Sequence, residues 1–136
     1  QERAATVRSQ GAGAMPALAD SAPSRWFTPG FTQAHPDFVQ RAQAWIAGIA
    51  PEGYAACCEA LATSDLRESI GRIAVPTLLL AGADDPVTTV ADAQAMQASI
   101  AGSSLAVVPA SHLSNLEAPQ AFEQAVLDFL AHAAKA

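Results

Sequence analysis

Two short, unbroken apolar runs, residues 77–81 and 105–108, flank a helix-length segment in which Ala93, Met96 and Ile100 fall on one stripe. An apolar run of this length without alternation suits a strand covered on both faces, the usual situation in a parallel sheet. Strand, helix, strand is a βαβ unit, whose crossover is right-handed in nearly all sheets. The two strands are therefore expected to lie parallel and side by side, and the fold class is α/β. A lone parallel pair has two open edges and little independent stability. Further sheet is thus expected from an upstream segment or from a second chain. The opening residues raise the same expectation: there is no initiator Met, and Ala4, Ala5 and Val7 alternate with charged positions as in mid-helix.

Before Pro76 the chain reads as helical. Residues 1–20 form a short helix, a glycine break at Gly11 to Gly13, and a second helical piece with Met15 and Leu18. Three prolines and a glycine in residues 21–36 exclude regular structure there, while Trp26, Phe27 and Phe31 supply bulk that must pack on something. From Pro36, the positions Phe38, Ala42, Trp45 and Ile46 predict a helix ending near Gly48. Tyr54, Cys57, Cys58 and Leu61 predict another after Pro51, with the cysteines as small buried hydrophobes. A further helix is expected to begin at Ser64 or Asp65, turning Leu66 and Ile70 inward. The last helix follows Pro119, with Phe122, Val126, Phe129 and Leu130 on one face.

Charge and composition exclude several function classes. Seven basic residues against thirteen acidic ones give a net charge of -6 with no Lys/Arg run, so nucleic acid is not expected as a partner. No apolar stretch reaches the roughly 18 to 20 residues that span a bilayer, and residues 1–10 lack the apolar segment of a signal peptide. No membrane association is expected. The only cysteines, Cys57 and Cys58, are neighbours, an arrangement unlike a secreted disulfide framework. The expected location is the cytoplasm. No second Cys/His pair exists to complete a zinc site with them.

In open α/β sheets, catalytic groups sit just beyond the C-terminal ends of the strands. Asp84 and Asp85 follow the first strand in "LLLAGADDPVTTV", and His112 follows the second in "PASHLSNLE". A carboxylate that accepts the ring N–H of a histidine fixes its tautomer and stabilises its protonated form, which suits the histidine to general-base work. Each residue alone has a structural reading: Asp85 as a turn or cap residue, His112 as a partly buried, hydrogen-bonded histidine. Their pairing across adjacent strand ends points to catalysis. Asp84 reads as a turn or supporting residue, His35 as a loop or cap residue, and His132 as solvated.

The residues here carry a family resemblance. "VPTLLLAGADDPVTT", "SIAGSSLAVVPASHLSNLEAPQAFEQAVLDFL" and "RWFTPGF" resemble the C-terminal half of the α/β-hydrolase fold, and specifically the 3-oxoadipate enol-lactonases of the β-ketoadipate pathway. The resemblance implies a helical cap and return to the core over residues 1–75. It implies the last two parallel strands with flanking helices over residues 76–136, the N-terminal half of the sheet being absent. It assigns the acid to Asp85, the fourth residue of the G-x-x-D turn, and the base to His112. It places Trp26 in the substrate pocket, and Arg25 beside it is the candidate partner for a substrate carboxylate.

The nucleophile of this fold is a serine in a G-x-S-x-G turn that precedes the acid, and this sequence contains no such turn. The parent enzyme is therefore expected to open a small anionic lactone with a serine from elsewhere, and the isolated chain is expected to be inactive. The expected partner is the N-terminal half of the same enzyme, or a second chain completing the sheet. No metal or organic cofactor is implied, because a triad and oxyanion hole supply nucleophile and charge stabilisation. Two other readings stay open at this point: a different α/β hydrolase (esterase, haloperoxidase or C–C hydrolase), or a non-catalytic module that pairs through its open sheet edge.

Overall fold

The computed structural model describes residues 2–133. In chain order the helices before the first strand are α1 (Glu2–Gln10), α2 (Met15–Ser21), α3 (Pro23–Trp26), α4 (Pro29–Ala34), α5 (Pro36–Ala47) and α6 (Pro51–Thr63), with a 3-10 turn at Gly11–Ala14. They are followed by β1 (Leu78–Gly82), α7 (Val90–Ser99), β2 (Ser104–Val108), α8 (Ser114–Glu117) and α9 (Pro119–Ala133). The chain divides into two compact units. One is Gln1–Ser24 with Thr32–Asp65; the other is Arg25–Phe31 with Leu66–Ala136.

In the first unit α1 packs on α6 and α2 on α5. The buried positions are mostly small, Ala4, Ala14, Ala19, Ala42 and Ala55 around Val7, Met15 and Ile46, so the helix backbones can approach closely. Pro16, Pro36 and Pro51 open their helices, where the missing N–H costs no internal hydrogen bond. On α1, Arg8 bridges to Glu52 and, at 3.0 Å, to Glu59 on α6. These pairs are exposed and add little energy.

Four expectations for this region are corrected. Residues 21–36 are not irregular. Pro23 and Pro29 each start a short helix, α3 and α4, since proline's fixed φ favours a first helical turn. On α5 the inward stripe is Phe38, Ala42 and Ile46, and Trp45 falls to its side, 48% exposed. The stripe of α6 is Pro51, Tyr54, Ala55 and Cys58, so Cys57 and Leu61 face outward. Finally, no α-helix starts at Ser64 or Asp65. Only a 3-10 turn forms, at Ile70–Arg72, and Leu66 is exposed. With two apolar side chains and Gly71 there is too little burial to offset the cost of nucleating a helix.

In the second unit β1 and β2 pair in parallel, from Leu78 opposite Ser104 to Gly82 opposite Val108. Helices α7 and α9 both pack on the two strands. Leu79, Ala81, Ile100, Val108, Ala110 and Phe27 are buried, and Phe27 stacks on Phe31 with ring centroids 5.0 Å apart. Cover on both faces of both strands is not observed: Leu78 and Leu80 are half-buried and Val107 is exposed, because the sheet among the described residues has two strands. Outward positions for Met96 on α7 and Leu130 on α9 likewise replace the inward ones expected; the stripes are Ala93, Gln97 and Ile100, and Phe122, Val126 and Phe129.

A capping box starts α7. The Thr89 hydroxyl accepts from the Asp92 N–H at 3.2 Å, and the Thr89 N–H donates to the Asp92 carboxylate at 2.8 Å. Replacing Thr89 by Ala removes an acceptor from the first turn and is expected to destabilise the chain by about 1 kcal/mol, read as a lower urea midpoint with unchanged slope.

Candidate active site

Beyond β1 the backbone stays joined to the segment leaving β2. The N–H groups of Ala83 and Asp84 donate to the carbonyls of Val108 and Ala110 at 2.9 and 3.0 Å, and the Asp85 N–H closes a tight turn onto the Gly82 carbonyl. This turn is possible because residue 82 has no side chain. A Cβ there would sit 2.3 Å from the Ser111 carbonyl oxygen and 2.5 Å from that of Ala110. A glycine within a strand pattern is the sequence signal for such close approach.

The turn delivers the Asp85 carboxylate inward, its side chain only 5% exposed. Pro86 has no N–H, so the next two backbone donors serve the carboxylate: Val87 N–H and Thr88 N–H donate to Oδ1 at 2.7 and 3.1 Å. Oδ2 accepts from the Thr88 hydroxyl at 2.7 Å and faces His112 Nδ1 at 2.9 Å. Thr88 Oγ1 is itself 3.4 Å from Nδ1. Burial pushes the Asp85 carboxyl up, but the hydrogen bonds from His112, Thr88 and the two backbone N–H groups together outweigh it and hold the group below its ordinary value. At neutral pH it is therefore an anion whose only sensible arrangement with Nδ1 is to accept its proton. That leaves Nε2 as the ring nitrogen with a free lone pair.

A carboxylate held below its ordinary value contributes stability above its unfolded pKa, and that contribution is lost as pH falls through the folded value. The difference in thermal midpoint between the native chain and its Asp85→Asn variant should be constant near neutrality and shrink below about pH 4. A difference independent of pH from 7 to 3 would contradict the ionised, hydrogen-bonded state of Asp85.

The loop carrying His112 is held by a residue that sequence reasoning missed. Glu117, at the end of α8, accepts from the Ser111 N–H at 2.8 Å, from the Thr28 N–H at 3.1 Å, and from the Thr28 hydroxyl. The Leu113 N–H donates to the Trp26 carbonyl at 3.0 Å. The backbone of Trp26 is thus fastened next to His112, and Trp26 and Arg25 are both half-buried. Thr88 was missed as well, although a Thr three residues after an Asp at a strand end is a detectable turn pattern. Asp84 is exposed and serves through its backbone, its carbonyl accepting from the Ser111 hydroxyl at 3.4 Å. His35 occupies the N-cap position of α5, and His132 Nδ1 lies 2.6 Å from the Asp128 carbonyl in its own helix. Among the described residues no group of three or more His, Cys, Asp or Glu side chains is placed to hold a metal ion. Nor is any helix there long and apolar enough to cross a membrane.

No family model matches the chain. Its sequence is 50% identical over 126 residues to 3-oxoadipate enol-lactonase 2 of Acinetobacter baylyi, an alignment covering 93% of this chain and 46% of the relative. Among solved structures, an enol-lactonase from Burkholderia xenovorans superposes with a TM-score of 0.89 at 35% identity, covering 96% of this chain and 49% of that one. A thermophilic esterase from Thermogutta terrifontis superposes with a TM-score of 0.86 at 26% identity, covering 97% and 48%. The chain spans about half the length of the relatives it matches. With its parallel strand pair, covering helices and strand-end acid and histidine, the chain has the fold of the C-terminal portion of an α/β hydrolase and is similar in sequence to the 3-oxoadipate enol-lactonases.

Proposed function

We propose that this chain works as the C-terminal half of a lactone hydrolase, completed by a segment matching the half of its relatives that it does not span, and that the substrate is the enol-lactone of 3-oxoadipate. The observation that carries the reading is the 2.9 Å contact of Asp85 with His112 Nδ1 across the ends of adjacent parallel strands. In this reading His112 Nε2 takes the proton of a serine hydroxyl supplied by the completing segment as the serine oxygen attacks the lactone carbonyl. Asp85 stabilises the imidazolium that results. Collapse of the tetrahedral intermediate breaks the ring C–O bond, and His112 returns the proton to the departing enol oxygen. Water, deprotonated by His112, then releases the acid and restores the serine. Residues 1–75 supply the helical cap and the return to the core. Trp26 lines the pocket, and Arg25 meets the substrate carboxylate.

The test is reconstitution. Co-expression with a segment corresponding to the N-terminal half of an enol-lactonase is expected to give a 1:1 complex that opens the lactone, while the chain alone does not. A complex that hydrolyses simple esters and leaves the lactone untouched would favour the esterase reading, to which the 26% identical esterase structure points. For Arg25, the Arg25→Ala variant is expected to raise KM for the anionic lactone about tenfold while kcat stays close to that of the native enzyme, the signature of lost ground-state binding. An unchanged KM would remove Arg25 from the pocket.

A further inference from the structure

We infer that Glu117 and Thr28 form a second clamp on the base, independent of Asp85, that sets the position of His112 by holding its backbone. The inference rests on the base role proposed for His112. Asp85 restrains the imidazole at Nδ1, but a ring held at one nitrogen is placed only as well as its Cα is placed. The backbone on either side of His112 is fixed by other groups: the Ser111 N–H donates to Glu117 Oε2 at 2.8 Å and the Leu113 N–H to the Trp26 carbonyl at 3.0 Å. The second of these anchors depends on the first pair, because Thr28, two residues after Trp26, is bound to Glu117 through both its N–H and its hydroxyl. One carboxylate thus accepts three donors from two segments that are 89 and 6 residues away in sequence, and the histidine sits between the points it fastens.

The arrangement is economical in its chemistry. A neutral amide in place of the carboxylate would turn one acceptor oxygen into a donor facing the donors of Ser111 and Thr28. Because Trp26 is carried on the same clamp, the base and the proposed pocket residue are set relative to each other by Glu117. Glu117 and Thr28 are positioning residues, and neither needs to touch substrate.

The experiment uses the reconstituted enzyme and the variants Glu117→Gln, Thr28→Val and Thr28→Ser, with kcat, KM and the NMR signal of the His112 Nδ1 proton as readouts. Glu117→Gln and Thr28→Val are expected to lower kcat about 10- to 100-fold, the scale of a misplacement of about 1 Å. They should also broaden the Nδ1 proton signal and speed its exchange. Thr28→Ser, which keeps the hydroxyl, should restore most of what Thr28→Val loses. An Nδ1 proton signal unchanged in position and exchange rate in Glu117→Gln overturns the clamp, as does a kcat within twofold of the native value in an enzyme that His112→Ala inactivates. The NMR arm needs no turnover, so it decides the clamp even if His112→Ala were to show that His112 is not the base, which would sink the functional reading alone.

Discussion

Replacing Asp85 by Asn in the reconstituted enzyme is expected to reduce lactone hydrolysis about ten-thousand-fold while leaving the fold in place. The reason lies in which donors each carboxylate oxygen serves. Oδ1 accepts two backbone N–H groups, from Val87 and Thr88, and an amide nitrogen cannot occupy that position without two donor-to-donor clashes. The asparagine must therefore keep its oxygen there and turn its NH2 toward His112. The ring responds by accepting at Nδ1, which moves its own proton to Nε2, the nitrogen that the proposed mechanism uses as the base. A tautomer inversion of this kind costs about 10^4 in kcat in Ser-His-Asp hydrolases, where geometry is otherwise retained. The measurement is kcat at neutral pH alongside a thermal midpoint. A loss of less than tenfold in a well-folded Asp85→Asn enzyme would show that Asp85 does not govern the histidine tautomer during turnover.

The second large effect is expected at Gly82, which carries no functional side chain. An added methyl would lie 2.3 and 2.5 Å from two carbonyl oxygens of the His112 loop, against backbone rather than a flexible side chain. Ordinary van der Waals contact requires the strand end and the loop to separate by about 1 Å. That separation would stretch the Asp84 to Ala110 hydrogen bond, now 3.0 Å, and draw Asp85 away from Nδ1. Gly82→Ala should therefore destabilise the chain by about 3 kcal/mol and lower activity at least 100-fold in whatever fraction folds. Urea unfolding and single-turnover hydrolysis separate the two effects. A variant with native stability and native kcat would mean that the loop tolerates the displacement, and the close approach would lose its significance.

Both predictions concern the β1 and β2 ends, and it is here that reading from sequence worked best. Two uninterrupted apolar runs separated by one helix leave little freedom, because a parallel pair needs a crossover and a crossover fixes which ends lie together. The strand bounds observed, Leu78–Gly82 and Ser104–Val108, are each within one residue of those read from the apolar pattern. Helical stripes were less legible. On α6 the face turned inward is Pro51, Tyr54, Ala55 and Cys58, a rotation away from Leu61. An alanine-rich helix offers several nearly equivalent apolar stripes, and packing against α1 chooses among them. The helix expected after Ser64 failed for a related reason: its pattern rested on Leu66 and Ile70 alone, and nothing packs on Leu66 strongly enough to bury it.

By itself the chain determined the α/β class, the parallel pair and the presence of an acid and a histidine at neighbouring strand ends, since all of these follow from local periodicity and the geometry of a single crossover. Only the tertiary structure decided that Gly82 is a point of close backbone approach to the His112 loop, that Thr88 joins His112 on the Asp85 carboxylate, and that Glu117 reaches Thr28 from 89 residues away. Such contacts depend on donors and acceptors meeting at about 3 Å, and no pattern along a sequence encodes a distance between segments that only packing brings together.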